Sequence, residues 1–140
     1  MNYPIAAACG LTLLAFLAHM TGGIRESLSI RPSKVASASF DRDQLVKLNR
    51  NWVQSMCAFQ LVSIDLLALA GILYLLGFTD LLAPKALIGF ALAGWYFLWG
   101  CVWLLQLAAL RQKPKEYLFL GHWAFWFGCA GLIYWGSTSL

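Results

Sequence analysis

Four long apolar stretches, Tyr3 to Met20, Val53 to Phe78, Ala86 to Leu110 and Tyr117 to Trp135, take up most of this 140-residue chain. Each is about 18 to 26 residues long, and an α-helix rising ~1.5 Å per residue needs roughly 20 to cross the ~30 Å hydrocarbon core of a bilayer. A soluble helical bundle would need polar faces at helical period, whereas these segments are apolar all round. A chain that is 61% hydrophobic and 11% charged is therefore expected to be an all-α polytopic membrane protein. We expect one four-helix transmembrane domain, two antiparallel hairpins with spans near 3–21, 41–78, 84–110 and 116–136, and a cytoplasmic connection at 22–40. Its amphipathic end leads into helix two.

The first stretch reads as a retained helix, because Met1-Asn2-Tyr3-Pro4 has no positive n-region and no clear small-x-small cleavage site follows. Thr21 to Asn51 is the one long segment outside the apolar stretches, which leaves no room for a soluble catalytic domain. All ten basic residues except Lys85 lie in two connections, 21–51 and 111–116. Lys and Arg in short loops stay cytoplasmic, so both termini are expected outside, periplasmic in a bacterial inner membrane. The pI near 9.0 follows from the same distribution and does not imply nucleic acid, since no binding module is present. Basic residues at helix ends also attract anionic lipid headgroups. Cys9, Cys57, Cys101 and Cys129 fall one per stretch, with no C-x-x-C, and read as small packing residues.

Along the chain, Gly22-Gly23 predicts a C-terminal cap for the first helix. Ile24 to Ile30 follows as a short interfacial turn, Pro32 breaks it, and Ser33 to Ser39 reads as an exposed loop. Asp41 predicts a new helix start, with Phe40, Leu45, Leu48 and Trp52 at roughly helical spacing. Pro84 suits the start of helix three. Gly94 and Gly100, with Gly128 and Gly131, predict close backbone approach between helices three and four.

Three constellations could carry chemistry. Asp65, mid-bilayer on helix two, is either a proton- or cation-responsive site or a protonated carboxyl bonded to a neighbouring helix. Gln54, Ala58 and Leu61 share its face, which is expected to turn into the bundle; Gln60 is a further intramembrane polar residue. His19 and His122 are expected at one membrane level, with Glu26, Arg25, Gln106 and Arg111 in the same layer. Two histidines and a carboxylate suit a divalent transition metal, two histidines alone a haem iron; capping and packing require neither. Trp95, Trp99 and Trp103, at i, i+4 and i+8 with Gln106 beyond, form either a pocket for a flat apolar ligand or a packing face.

The run His19-x-x-x-Gly23-x-Arg25-Glu26, with Trp52 opening helix two, resembles a group of small uncharacterised four-helix bacterial inner-membrane proteins. In that group a histidine usually follows the tryptophan, where Val53 stands here. The resemblance implies the same architecture and location, with Arg25 and Glu26 pairing with His19 at the cytoplasmic rim; it implies no activity.

The chain offers no nucleophile–base pair, paired carboxylates, phosphate loop or paired dithiol. The leading expectation is a noncatalytic, tryptophan-rich membrane subunit or scaffold without a cofactor, packing against other membrane proteins or itself. A metal- or haem-binding module using His19, His122 and Glu26, and a proton-coupled transporter using Asp65, are the alternatives.

Overall fold

A computed structural model of the chain describes residues 2–35 and 40–140, and the described residues are organised as helices without strands. They are α1 (Tyr3–Ala18), α2 (Ile24–Ser29), α3 (Pro32–Val35), α4 (Arg42–Phe78), α5 (Lys85–Ala109), α6 (Pro114–Phe119) and α7 (His122–Ser137). Three helical runs, Tyr3–Ser29, Arg42–Phe78 and Lys85–Ala109, are long and apolar enough to cross a membrane.

The start of α4 follows from a reciprocal cap. Asp41 Oδ1 accepts the Gln44 backbone N–H at 2.7 Å, and Gln44 Oε1 accepts the Asp41 N–H at 3.2 Å, satisfying two groups that a helix end leaves bare. From there α4 runs unbroken for 37 residues. Pro84 stands at the N-cap of α5. At the other end of α5, Arg111 adopts φ 52°. Its N–H donates to Ala108 O and that of Gln112 to Leu107 O, the paired bonds of a Schellman ending.

Several expectations need correction. The first helix does not stop at Gly22-Gly23: His19–Gly23 forms a π-helical turn that carries α1 into α2. Gly23 serves close packing instead, since a Cβ there would lie 2.6 Å from Phe59 Cζ. The expected interfacial turn is thus the helix α2, and the start of the expected Ser33–Ser39 loop is helical as α3; residues 36–39 lie outside the described residues.

The fourth stretch is also not one helix. It breaks at Leu120-Gly121, leaving α7 with 16 residues, about 24 Å at ~1.5 Å per residue. Two indoles take up carbonyls near the break: Trp103 Nε1 donates to Leu120 O at 3.0 Å and Trp123 Nε1 to Tyr117 O at 2.8 Å. Partnered carbonyls make a helix interruption tolerable in apolar surroundings.

The chain divides into two compact units. The first comprises Met1–Leu11 and Ala70–Leu140, the second Thr12–Leu69. In the first, α5 and α7 pack along a ladder of paired rings. Phe90 meets Tyr134 at 5.4 Å, Tyr96 meets Trp126 at 5.3 Å, Phe97 meets Phe127 at 5.2 Å and Trp103 meets His122 at 4.5 Å. Gly100 makes room for the Phe127 ring, and Gly89 for the Ser137 hydroxyl. Gly94, Gly128 and Gly131, by contrast, have open space where a Cβ would stand. They do not mediate the close approach expected of them. Asn2 Nδ2 donates to Gly136 O at 2.7 Å and the Cys9 thiol to Ala70 O at 3.4 Å, fastening the start of α1 within this unit.

In the second unit, Ser63, Leu66 and Leu69 are the buried residues of α4, one turn apart on one face. His19 stacks on Phe59, with ring centres 3.6 Å apart. The Trp52 indole donates to Ser27 O at 3.1 Å, and Arg31 lies 5.4 Å over the Trp52 ring.

Candidate functional site

An apolar groove of about 700 Å³ lies between α5 and α7. Phe90, Phe97, Phe127 and Tyr134 form its walls, and Ala93, Gly94, Ala130 and Gly131 its floor. The floor is low because Gly94 and Gly131 carry no side chain and nothing else fills the space within 4 Å. Among the wall residues Phe97 and Tyr134 are more than half exposed. With apolar sides and glycine-lowered backbone, the groove matches what membrane helices use to pack on one another.

Sequence reasoning had the elements of this groove without its location. In the sequence the glycines read as packing residues, and the tryptophans that stand out lie on another face of α5. Residues 90, 94 and 97 share a helical face by their i, i+4, i+7 spacing. That spacing was the available signal.

The three tryptophans do not line one pocket. Trp95 is exposed, Trp99 stacks on Trp126 at 5.4 Å, and Trp103 donates to Leu120 O. Gln106 is exposed. The Trp99 indole nitrogen is buried without a hydrogen-bond partner among the described residues. The stripe is thus split among three environments, because two of its rings are taken up by α7 and the turn before it.

Asp65 is half-buried, and its Oδ2 is sealed off with no hydrogen-bond partner among the described residues. The face it was expected to share does not turn inward within its unit. Gln54, Ala58 and Leu61 are exposed, Leu61 at 66%, since the buried line of α4 runs through Ser63, Leu66 and Leu69. Asp65 stands on the shoulder between the two faces. Gln60 is half-buried.

The histidines belong to different units and have different partners. His19 Nε2–H donates to Phe59 O at 3.1 Å; a carbonyl can only accept, so Nε2 carries a proton. His122 is exposed beside Trp103. Among the described residues no three His, Cys, Asp or Glu side chains gather as a metal-holding group. The expected pairing of Arg25 and Glu26 with His19 is also absent. Both are exposed, and the only ion pair among the described residues is Lys85–Asp80 at 2.6 Å. The physical reason is the π turn: its extra residue shifts the phase, so the seven-residue interval from His19 to Glu26 no longer returns to one face. Arg111 is exposed too, at the Schellman ending of α5.

Comparisons with protein-family models, with curated proteins and with solved structures give no match.

Proposed function

We propose that this chain is a small noncatalytic membrane subunit that receives a transmembrane helix of a partner protein in the α5/α7 groove. In this reading α1, α4, α5 and α7 are four spans in two antiparallel hairpins, both termini face outward, and the protein resides in a bacterial inner membrane. The positions of Lys and Arg support the orientation, and a C-terminal reporter active only outside the cytoplasm should therefore be active.

The observation that carries the reading is the groove's floor. In lipid, apolar area alone does not draw helices together, because acyl chains are as apolar as leucine; close backbone approach and dense contact do. Gly94 and Gly131 leave that approach open, and the aromatic walls would grip a helix from both sides. A photo-crosslinker at position 97 should capture one stoichiometric partner. The same crosslink should disappear in Gly131→Leu, whose Cβ would meet nothing within 4 Å, and should be missing when the crosslinker is moved to position 14 on α1. Capture that survives the filled floor, or is equal from both positions, would sink the reading.

One observation favours a second reading. The sealed, unpartnered Oδ2 of Asp65 suits a carboxyl that takes up a proton or cation within the bilayer. If proton-coupled transport exists, Asp65→Asn should abolish it while leaving the helices folded. Transport that persists in this variant would exclude the role.

A further inference from the structure

The second unit carries a set of charges that no ion pair among the described residues answers. Its segment between Tyr3–Ser29 and Arg42–Phe78 leaves one apolar run and enters the next, so it emerges on a single side of the bilayer. Arg31 and Lys34 lie on it, and Arg25, Arg42, Lys47 and Arg50 on the helix ends that flank it, against Glu26, Asp41 and Asp43, and all nine are exposed. None of the six cations forms an ion pair among the described residues. Asp41 is already engaged as the cap of α4 through Gln44.

The geometry gives this rim a fixed point. The Trp52 indole bonded to Ser27 O holds α2 beside the start of α4, and Arg31 rests over the same ring. Charge ends at this level: from Trp52 to Ile64 no charged residue occurs. A tryptophan at such a boundary marks the headgroup layer. Stacking on the ring restrains the Arg31 guanidinium while leaving its edge N–H groups free to form the paired bonds that phosphate oxygens accept.

We infer that this rim binds the phosphate groups of anionic phospholipids, with Arg31 on Trp52 as its anchor. Lipid headgroups are the counter-charge that a membrane surface supplies at this depth. The inference concerns a different unit from the groove and stands without it.

The test is native mass spectrometry of the whole protein in mild detergent, offered equal amounts of phosphatidylglycerol and phosphatidylcholine with identical acyl chains. Phosphatidylglycerol should be retained at least about five times more often, and raising the salt should erode that preference as exposed charges are screened. Changing Arg31, Lys34, Arg42 and Lys47 together to Gln should bring the ratio close to parity. Changing Arg111, Lys113 and Lys115 to Gln should leave most of it. Equal retention of the two lipids by the unaltered protein, a preference indifferent to salt, or equal losses in the two variants would each overturn the inference. The salt series needs no variant, so it decides even where a substituted chain misfolds.

Discussion

The two units are held by different means. Nearly all the buried apolar side chains belong to the first, among them Ile5, Leu73, Leu76, Tyr96 and Ile133, each fully or almost fully enclosed. In the second, the buried residues among those described are Leu66, Leu69 and Pro32, alongside Thr12 and Ser63. What holds its remaining parts is a handful of directed contacts, His19 to Phe59 O and Trp52 to Ser27 O. A bilayer explains why both designs exist. Without a hydrophobic drive between helices, cohesion comes from tight contact or from polar bonds, and each unit relies chiefly on one.

The sharpest way to break this contrast is to spoil the ring packing. Tyr96→Ala removes a fully buried ring at the centre of the ladder and should cost about 3–5 kcal/mol, read as the midpoint of unfolding in a denaturing-detergent titration. Gly100→Leu should be comparably harmful, because even its Cβ would lie within 3 Å of three Phe127 ring atoms. Gly94→Leu, six residues away in open space, should be close to neutral. Equal effects at the two glycines would mean that close packing does not hold the first unit together.

A second test addresses the other unit through adjacent glycines. Gly23→Ala pushes a methyl group onto the Phe59 ring that stacks on His19, and should cost about 1–2 kcal/mol. Gly22→Ala meets nothing within 4 Å and should be neutral or slightly stabilising, since alanine favours a helix over glycine by up to about 1 kcal/mol. Amide exchange along Ile24–Ser29 should speed up only in the first variant. If exchange rises equally in both, the Phe59 contact is not what secures α2.

These glycines also mark the limit of what the sequence disclosed. The long helices were legible because their length and unbroken apolarity have few alternatives, and the starts at Asp41 and Pro84 because capping chemistry is local. Gly22-Gly23 misled for a tertiary reason: Phe59, far along the sequence, occupies the space beside Gly23, so this glycine packs instead of terminating the helix. The break at Leu120-Gly121 was hidden likewise, since the Trp103 indole that donates to Leu120 O comes from another helix. At the candidate sites, residue types were visible but faces were not. Asp65 stood out as costly; that Gln54 and Leu61 beside it face outward depends on which side of α4 is covered.

Arg111→Gly sharpens the account of the first unit in the stabilising direction. A non-glycine residue in the left-handed region costs roughly 1–2 kcal/mol, partly offset by glycine's larger entropy loss on folding. The substitution should raise stability by about 0.5–1 kcal/mol. A loss instead would mean that the Arg111 side chain contributes to the fold through more than its backbone.

The smallest effect is expected from the Lys85–Asp80 ion pair, and it is the most direct check that packing carries the first unit. Lys85 Nζ donates to Asp80 Oδ1, and this hydrogen bond, reinforced by the lysine charge, lowers the Asp80 carboxyl below its ordinary value of 3.8. For a depressed carboxyl the sign is fixed. The native state holds fewer protons than the unfolded one, so the contribution is fully present above the ordinary value and fades as pH falls through the native one. Because Asp80 is fully exposed, solvent screens the pair and its contribution should be marginal. Asp80→Asn should therefore leave the unfolding midpoint at pH 7 nearly unchanged, and the unaltered protein should show no step between pH 7 and about 5 from this group. A carboxyl-resolved NMR titration should still find Asp80 titrating below an unpaired aspartate. A large loss of stability in Asp80→Asn would show that the first unit leans on a polar contact after all, and the contrast between the units would have to be redrawn.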